Sequence, residues 1–357
     1  MPDVLKPILA RQMEVYAGFL EHVDHHVGRV IDAVADLGIL DATLVFYIIG
    51  DNGASAEGQL NGTFNELLTF NGMAALETPE FLAAKIDALG GPEAYNHYAV
   101  GWAHAMDTPY QWTKQVASHW GGTRNGLVLH WPSGVRAAGE IRDQFHHLID
   151  IAPTVLDVAG LPEPTFVHGV MQKPIEGVSM TYSFDDPAAP GRRETQYFEM
   201  MGNRGIYHKG WTACTKHRTP WLTAGMPPFD EDTWELYGPD DYTQAHDLAG
   251  ANPGKLAELQ RLWLIEATRH QVLPLDETLD IGSDIGTPVS YQYPPRGNEF
   301  TGKVRWVQIG RRRERRPPGP PRGPAADHHG PAIGTNVAAC ASFAHAATSH
   351  CKPSAPL

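Results

Sequence analysis

The sequence predicts an α/β protein, on three observations. A long amphipathic stretch has apolar residues at steps of three and four, and a short continuous apolar run, LVFYIIG, follows it. A second such run, GLVLHW, lies beyond another helical segment. In the first stretch, residues 9–37, Met13, Ala17, Leu20, Val23, Val27, Val30, Ile31, Val34 and Leu37 form one helical stripe, and Gly38 closes it. Asp41 turns the chain into LVFYIIG, whose β-branched and aromatic residues read as a strand buried on both faces.

The glycine-studded loop GDNGASAEGQLNGTFNE comes next, then a helical stretch carrying Phe81, Leu82, Ile86 and Leu89. GLVLHW, residues 126–131, reads as a second strand, bounded by GGTRN and by Pro132 and Gly134. HHLIDIAPTVLDVAGLPEP continues as a helix with Pro153 in its first turn and Gly160 at its end. Strand and helix alternate in this order, which predicts a doubly wound sheet sandwiched by helices.

Near residue 190 the pattern changes. TQYFEM, RGIYHKG and WTACTKH are closely spaced strand-like segments, followed by WELY and a helix from about Pro253 to His270, which predicts a small antiparallel α+β domain. The expected divisions are 1–187 for the α/β part, 188–280 for the small domain and 281–357 for an irregular or disordered tail. The tail carries GRRRERRPPGPPRGPAADHHGP and too little periodic apolar sequence to bury a core.

The chain has 357 residues, 42% of them hydrophobic, and a net charge of −13, although the tail from Arg311 onward is basic. An acidic body argues against nucleic acid as a partner and suits a protein that holds a cation. No apolar run reaches the roughly 18 residues of a membrane span, and MPDVLKPILARQM lacks the pattern of a signal peptide, so no membrane partner and a cytoplasmic location are expected. Cys214, Cys340 and Cys351 are too few and too scattered for a disulfide framework.

The candidate chemistry begins at GDNG, because ligands of open α/β sheets bind beyond the carboxyl ends of the strands. Asp51 and Asn52 offer a carboxylate and a carboxamide side by side, hard oxygen donors suited to Ca²⁺ or Mg²⁺. An Asp-Asn-Gly after a strand is also an ordinary turn.

Several long segments, in order, carry a resemblance that separates these readings. GDNGASAEGQLNGTFNE, TPYQWTKQVASHWGGTRNGLVLHWP, HHLIDIAPTVLDVAGLPEP and GIYHKGWTACTKHRTPW, followed by WELYGPDD and AHDLA, resemble an arylsulfatase of the alkaline phosphatase-like superfamily, from about Met1 to about Leu275. The resemblance implies a partial sulfatase-like sheet and hydrolysis of sulfate esters. It also implies a calcium site to which Asp51 and Asn52 contribute, and a sulfate-binding, catalytic lysine at Lys114. An ammonium and a divalent cation on the same sulfate oxygens stabilise the charge that builds as the S–O bond breaks, and Asp51 is suited to orient the attacking hydroxyl.

Sulfatases attack with a formylglycine made from the cysteine of a C-x-P-x-R signature, and no such signature occurs here. In CTKHR, Cys214 and Arg218 have the right spacing but lysine replaces proline, and Cys214 reads as a core residue. The chain thus resembles the carboxyl-terminal portion of an arylsulfatase. It is expected to be inactive alone, with a separately encoded amino-terminal half as a partner or with an interrupted reading frame behind it. Loss of neighbouring strands would leave apolar faces of the long helix and of both apolar runs uncovered. The alternatives are a non-catalytic remnant or subunit of a split sulfatase, and phosphoester hydrolysis on the same scaffold.

Other residues weigh differently. His119, near Lys114, is a candidate for substrate binding, and a satisfied structural histidine is the stronger reading. His146 and His147 precede a helix and suit capping. Arg124 is a candidate to assist an anion, with a loop salt bridge the stronger reading; Asp24 suits a buried hydrogen bond or the helix edge; and Glu57, Asn61 and Asn65 read as organisers of the loop after GDNG, of which one could line a substrate pocket. Cys340, His345, His350 and Cys351 match no zinc-finger spacing, and Arg311–Arg316 reads as a solvated basic run.

Overall fold

The structure, a computed structural model, describes residues 2–222 and 228–272 and the backbone of 337–341. The fold is α/β. Helix α1 (Leu5–Asp36) leads through a 3₁₀ turn into β1 (Leu44–Ile48). Short helices α2 (Glu66–Phe70), α3 (Pro79–Ala84), α4 (Val100–Asp107) and α5 (Trp120–Thr123) precede β2 (Leu127–His130), and α6 (Ile151–Val158) follows it. A two-residue hairpin, β3 (Phe166–Val167) and β4 (Val170–Met171), comes before β5 (Thr195–Met200), β6 (Asn203–His208), β7 (Trp211–Thr215) and β8 (Trp234–Tyr237). Helix α7 (Pro253–Arg269) ends the continuous part, and β9 (Val337–Ala341) pairs in parallel with β1. The rest of the predicted tail, with Arg311–Arg316, His345, His350 and Cys351, lies outside the described residues, as does the side chain of Cys340.

One expectation is corrected. The doubly wound reading implies parallel neighbours, yet β2 runs antiparallel to β1, with Val45 opposite His130 and Ile48 opposite Leu127. The cause lies in the loop between them: Ile49 N–H donates to the carbonyl of Gly126 at 3.0 Å, so β2 starts where β1 finishes and must run back along it.

Two apolar clusters hold this part together. Leu5 and Ile8 at the start of α1 pack with Phe64, Leu82 and Leu89, so the helix is seated by its first turns. Leu44 and Phe46 of β1 pack with Met180 and with Leu129, Ile151 and Val155 around them. Further along α1 the cover is partial: Met13, Val23, Val27, Ile31 and Val34 are half-buried, Phe19, Leu20 and Val30 are exposed, and Leu37 is 72% exposed. On the sheet, Ile49, Leu127 and Val128 are exposed too. No helix among the described residues is long and apolar enough to cross a membrane.

Strands β5–β8 form an antiparallel sheet in chain order, and α7 covers it. Strands β6 and β7 are buried in consecutive runs that include Ile206, Ala213 and Cys214, while α7 buries Leu259, Trp263 and Ala267 on the helical period. Trp263 fixes the helix in register by donating its indole N–H to the carbonyl of Phe198 at 3.1 Å.

Candidate functional site

The chain leaves β1 into GDNG, and the following backbone is bound to the segment that carries Lys114. Gly53 N–H donates to the Gly122 carbonyl at 3.1 Å, and Lys114 N–H donates to the Ala54 carbonyl at 3.1 Å. The approach is so close that a Cβ on Gly53 would sit 1.6 Å from the Gly121 carbonyl oxygen, and one on Gly121 would sit 2.2 Å from the Gln111 and Trp112 carbonyls. Only hydrogen fits at these two positions.

A carboxylate and a phenol complete the attachment. Asp107, the last residue of α4, accepts from Ala54 N–H at 2.9 Å, and the Tyr98 hydroxyl accepts from Ser55 N–H at 3.1 Å. Burial pushes the Asp107 carboxyl up to about 7, against the opposing pull of the Ala54 N–H. Burial likewise raises the Tyr98 phenol well above its ordinary range.

On this mount Asp51 is exposed and Asn52 half-buried. The Asn52 amide donates to Asp51 Oδ1 at 2.8 Å, so the pair stands side by side, with the second carboxylate oxygen and the amide oxygen outside this bond. Lys114 lies in a strained stretch. Trp112 and Gln115, on either side of it, have φ of 67° and 75°, each costing on the order of 1 kcal/mol or more for a residue with a side chain. The Lys114 ammonium lies 3.3 Å from both carboxylate oxygens of Glu57. Glu57 also accepts from Ser55 Oγ at 2.8 Å and from Gln115 Nε2 at 3.3 Å. The structure thus brings Lys114 to Glu57, one of three residues the sequence suggests as loop organisers or as lining a substrate pocket. Glu57 in turn neighbours Glu66 and His97, one ligand atom of each lying within 4.8 Å of the others.

His119 lies inside the protein. It is 1% exposed, its Nε2 is 2.7 Å from Glu235 Oε2 and its Nδ1 is 2.9 Å from Ser118 Oγ. Both ring nitrogens are engaged inside the protein. Cys214 is buried in β7, with the Gln244 amide 3.4 Å from its sulfur, and burial pushes its thiol far up, which removes the thiolate a nucleophile needs.

Arg124 forms no salt bridge among the described residues; its guanidinium lies over the rings of Tyr242, Tyr110 and Trp120, at 4.2, 5.3 and 5.9 Å from their centroids. His147 does cap, accepting from Ile149 N–H, while its own N–H donates to Asp150 at 2.9 Å. Asn65 caps α2 by accepting from Leu67 N–H, the Asn61 carbonyl accepts from Gln12, and Asp24 is exposed on α1. Asp107 and His97 carry no motif, and sequence reading passes over both.

Residues 4–161 match the family model described as Sulfatase. Over 264 residues the chain is 28% identical to an uncharacterized sulfatase of Schizosaccharomyces pombe, covering 73% of this chain and 44% of that protein. It is 25% identical over 196 residues to an arylsulfatase of Klebsiella aerogenes, covering 54% and 38%, and 23% identical over 261 residues to arylsulfatase A of Homo sapiens, covering 70% and 42%. Among solved structures, a phosphonate monoester hydrolase from Silicibacter pomeroyi aligns with a TM-score of 0.39 at 17% identity, covering 72% of this chain and 41% of that one. The chain spans about two fifths of the length of the curated relatives it matches.

Proposed function

Since residues 4–161 are a sulfatase-family domain, we propose that this chain supplies part of the active site of a sulfuric ester hydrolase of arylsulfatase type. The observation that carries the proposal is the backbone junction between GDNGA and the Lys114 segment, the 3.1 Å bonds from Gly53 to Gly122 and from Lys114 to Ala54. It holds an acid–amide pair and a lysine on contiguous rigid loops beyond β1, as a site for a doubly held anion requires.

The donor set fits calcium. Asp51 and Asn52 present hard oxygens, and their mutual hydrogen bond leaves one carboxylate oxygen and the amide oxygen outside it. These two residues would hold the ion, with its other coordination positions open to water, sulfate and further protein oxygens. When bound, such an ion supplies positive charge to the sulfate oxygens.

Lys114 does the work that belongs to this chain: its ammonium offsets the negative charge of the sulfate group, and Glu57 sets where that ammonium points. His119, held between Ser118 and Glu235, positions the segment rather than touching substrate. No cysteine here stands in C-x-P-x-R, so the reading assigns the attacking formylglycine to residues this sequence does not contain. A separately encoded polypeptide is one source of it.

A second reading, a non-catalytic subunit, draws on one specific observation: the Lys114 ammonium is engaged by Glu57. Incubation of the full chain with a chromogenic aryl sulfate and Ca²⁺, alone and with a polypeptide carrying C-x-P-x-R, separates the two. Turnover that is lost in Asp51→Ala and Lys114→Ala supports the hydrolase. Turnover indifferent to both substitutions sinks the assigned roles, and the absence of turnover in either mixture favours the non-catalytic subunit. Faster cleavage of the matching phosphate ester would move the proposal to phosphoester hydrolysis.

A further inference from the structure

We propose a second cation site in this chain, formed by Glu57, Glu66 and His97 and selective for a first-row divalent ion of the Mn²⁺ or Zn²⁺ class. The site is separate from Asp51 and Asn52 and does not depend on the sulfatase reading.

The three residues come from two paired segments and one loop. Thr63 and His97 exchange both backbone hydrogen bonds, at 2.9 and 3.1 Å, and Glu66 N–H donates to the Tyr95 carbonyl at 2.9 Å. Glu77 fastens this ladder by accepting from the N–H groups of Phe64 and Asn65 at 2.9 and 2.8 Å. Glu57 reaches the same place from the loop after GDNG, so one ligand atom from each residue falls within 4.8 Å of the other two. Ligands held about 2.0–2.2 Å from one ion stand no more than about 4.4 Å apart, so a small closing movement of these side chains would bring all three onto an ion.

Two observations outside the carboxylates point to a ligand. First, His97 Nδ1 lies 2.8 Å from the Tyr98 carbonyl, which can only accept, so Nδ1 is the donor there and Nε2 is the nitrogen left to ligate. A carbonyl behind the imidazole is the usual support of a metal-bound histidine. Second, the Thr63 hydroxyl is orphaned: the residue is 3% exposed, and Oγ1 has no hydrogen-bond partner among the described residues. Residues directly opposite in an antiparallel bridge project to the same face, which aims this hydroxyl to the side from which His97 projects. A buried hydroxyl without a partner costs roughly 1–3 kcal/mol, and a bound ion with its water relieves that cost.

Charge and chemistry select the ion. Among the described residues the two carboxylates meet the ammonium of Lys114, which leaves an excess of acidic groups to attract a cation. An imidazole nitrogen beside two carboxylates favours Mn²⁺ or Zn²⁺ over Ca²⁺, whose ligands are oxygens. Occupation draws Glu57 toward the ion and loosens its hold on Lys114.

The test is Mn²⁺ titration of the full chain, with free Mn²⁺ counted by electron paramagnetic resonance and bound Mn²⁺ examined by pulsed methods for coupling to nitrogen. Thiolates are poor ligands for Mn²⁺, so the three cysteines do not compete. The expected result is one bound ion with imidazole nitrogen coupling, retained in Asp51→Ala and weakened at least about tenfold in both His97→Gln and Glu66→Gln. Circular dichroism checks that each variant is folded, and the two independent ligand variants keep the test decisive if one of them is not. Wild-type chain that is folded yet binds no Mn²⁺, bound Mn²⁺ without nitrogen coupling, or binding unchanged in folded His97→Gln or folded Glu66→Gln overturns the site.

Discussion

His119 and Glu235 meet at 2.7 Å across 116 residues of chain, joining the segment that carries Lys114 to strand β8. Ser118 and the Tyr237 hydroxyl, the latter 2.9 Å from the same Glu235 oxygen, extend this contact into a chain of hydrogen bonds. His119→Ala removes a buried ring and leaves Glu235 without its main donor. The expected cost is about 2–4 kcal/mol in urea denaturation.

The same pair predicts a pH effect. The Glu235 carboxyl lies below its ordinary range, chiefly because His119 hydrogen-bonds to it and in spite of burial. A depressed carboxyl stabilises the fold above its unfolded value of about 4.3, and that stability is lost as pH falls through the lower folded value. Glu235→Gln should flatten the acid side of the stability profile below about pH 4.3, and an unchanged profile would show that the pair contributes nothing there.

Asp150, fully buried, holds Arg193 through Nε at 3.0 and 3.1 Å and through a further contact from Nη2. Burial alone would raise this carboxyl. Hydrogen bonds from His146 and Arg193 and from the N–H groups of Val178 and His147 outweigh it, so the carboxyl is held far below its ordinary range. Arg193→Met strands a buried carboxylate and is expected to destabilise by about 3–5 kcal/mol. A midpoint in guanidinium indistinguishable from wild type contradicts this.

Asp107 behaves in the opposite sense. Its folded value, about 7, lies above that of the unfolded chain, so its contribution is full below about pH 3.9 and is lost as pH rises through 7. Asp107→Asn keeps an acceptor for Ala54 N–H and removes the buried charge. Its melting temperature relative to wild type should therefore be higher at pH 8 than at pH 5, and calorimetry at the two pH values decides.

Gly53→Ala places a methyl group 1.6 Å from the Gly121 carbonyl oxygen, a contact that the two backbones relieve only by separating. The expected cost is about 3 kcal/mol, with faster amide exchange at Gly53 and Lys114, whose N–H groups form the junction. Exchange rates equal to wild type at both positions would mean that the junction is not held as described.

The apolar stripe of α1 belongs to the same account of what local sequence settles. The periodicity of residues 9–37 makes a helix whatever it packs against, and the structure begins it at Leu5 and ends it at Asp36. LVFYIIG, GLVLHW, TQYFEM, RGIYHKG, WTACTKH and WELY likewise became strands because alternation and β-branched content act within a few residues. The pairing of Asp51 with Asn52 at the end of β1 was legible for the same reason, since adjacent residues need no tertiary contact to stand together.

Tertiary structure decided everything that joins distant segments. The direction of β2 followed from a backbone bond between Ile49 and Gly126, not from the apolar content of GLVLHW. Glu57 reached Lys114, Glu235 reached His119, and Glu66 came beside His97 because glycine-permitted backbone contacts folded separate loops onto one another. Periodicity encodes the face a residue presents within its own element. A partner many residues away is chosen by close packing between elements, which no local pattern carries.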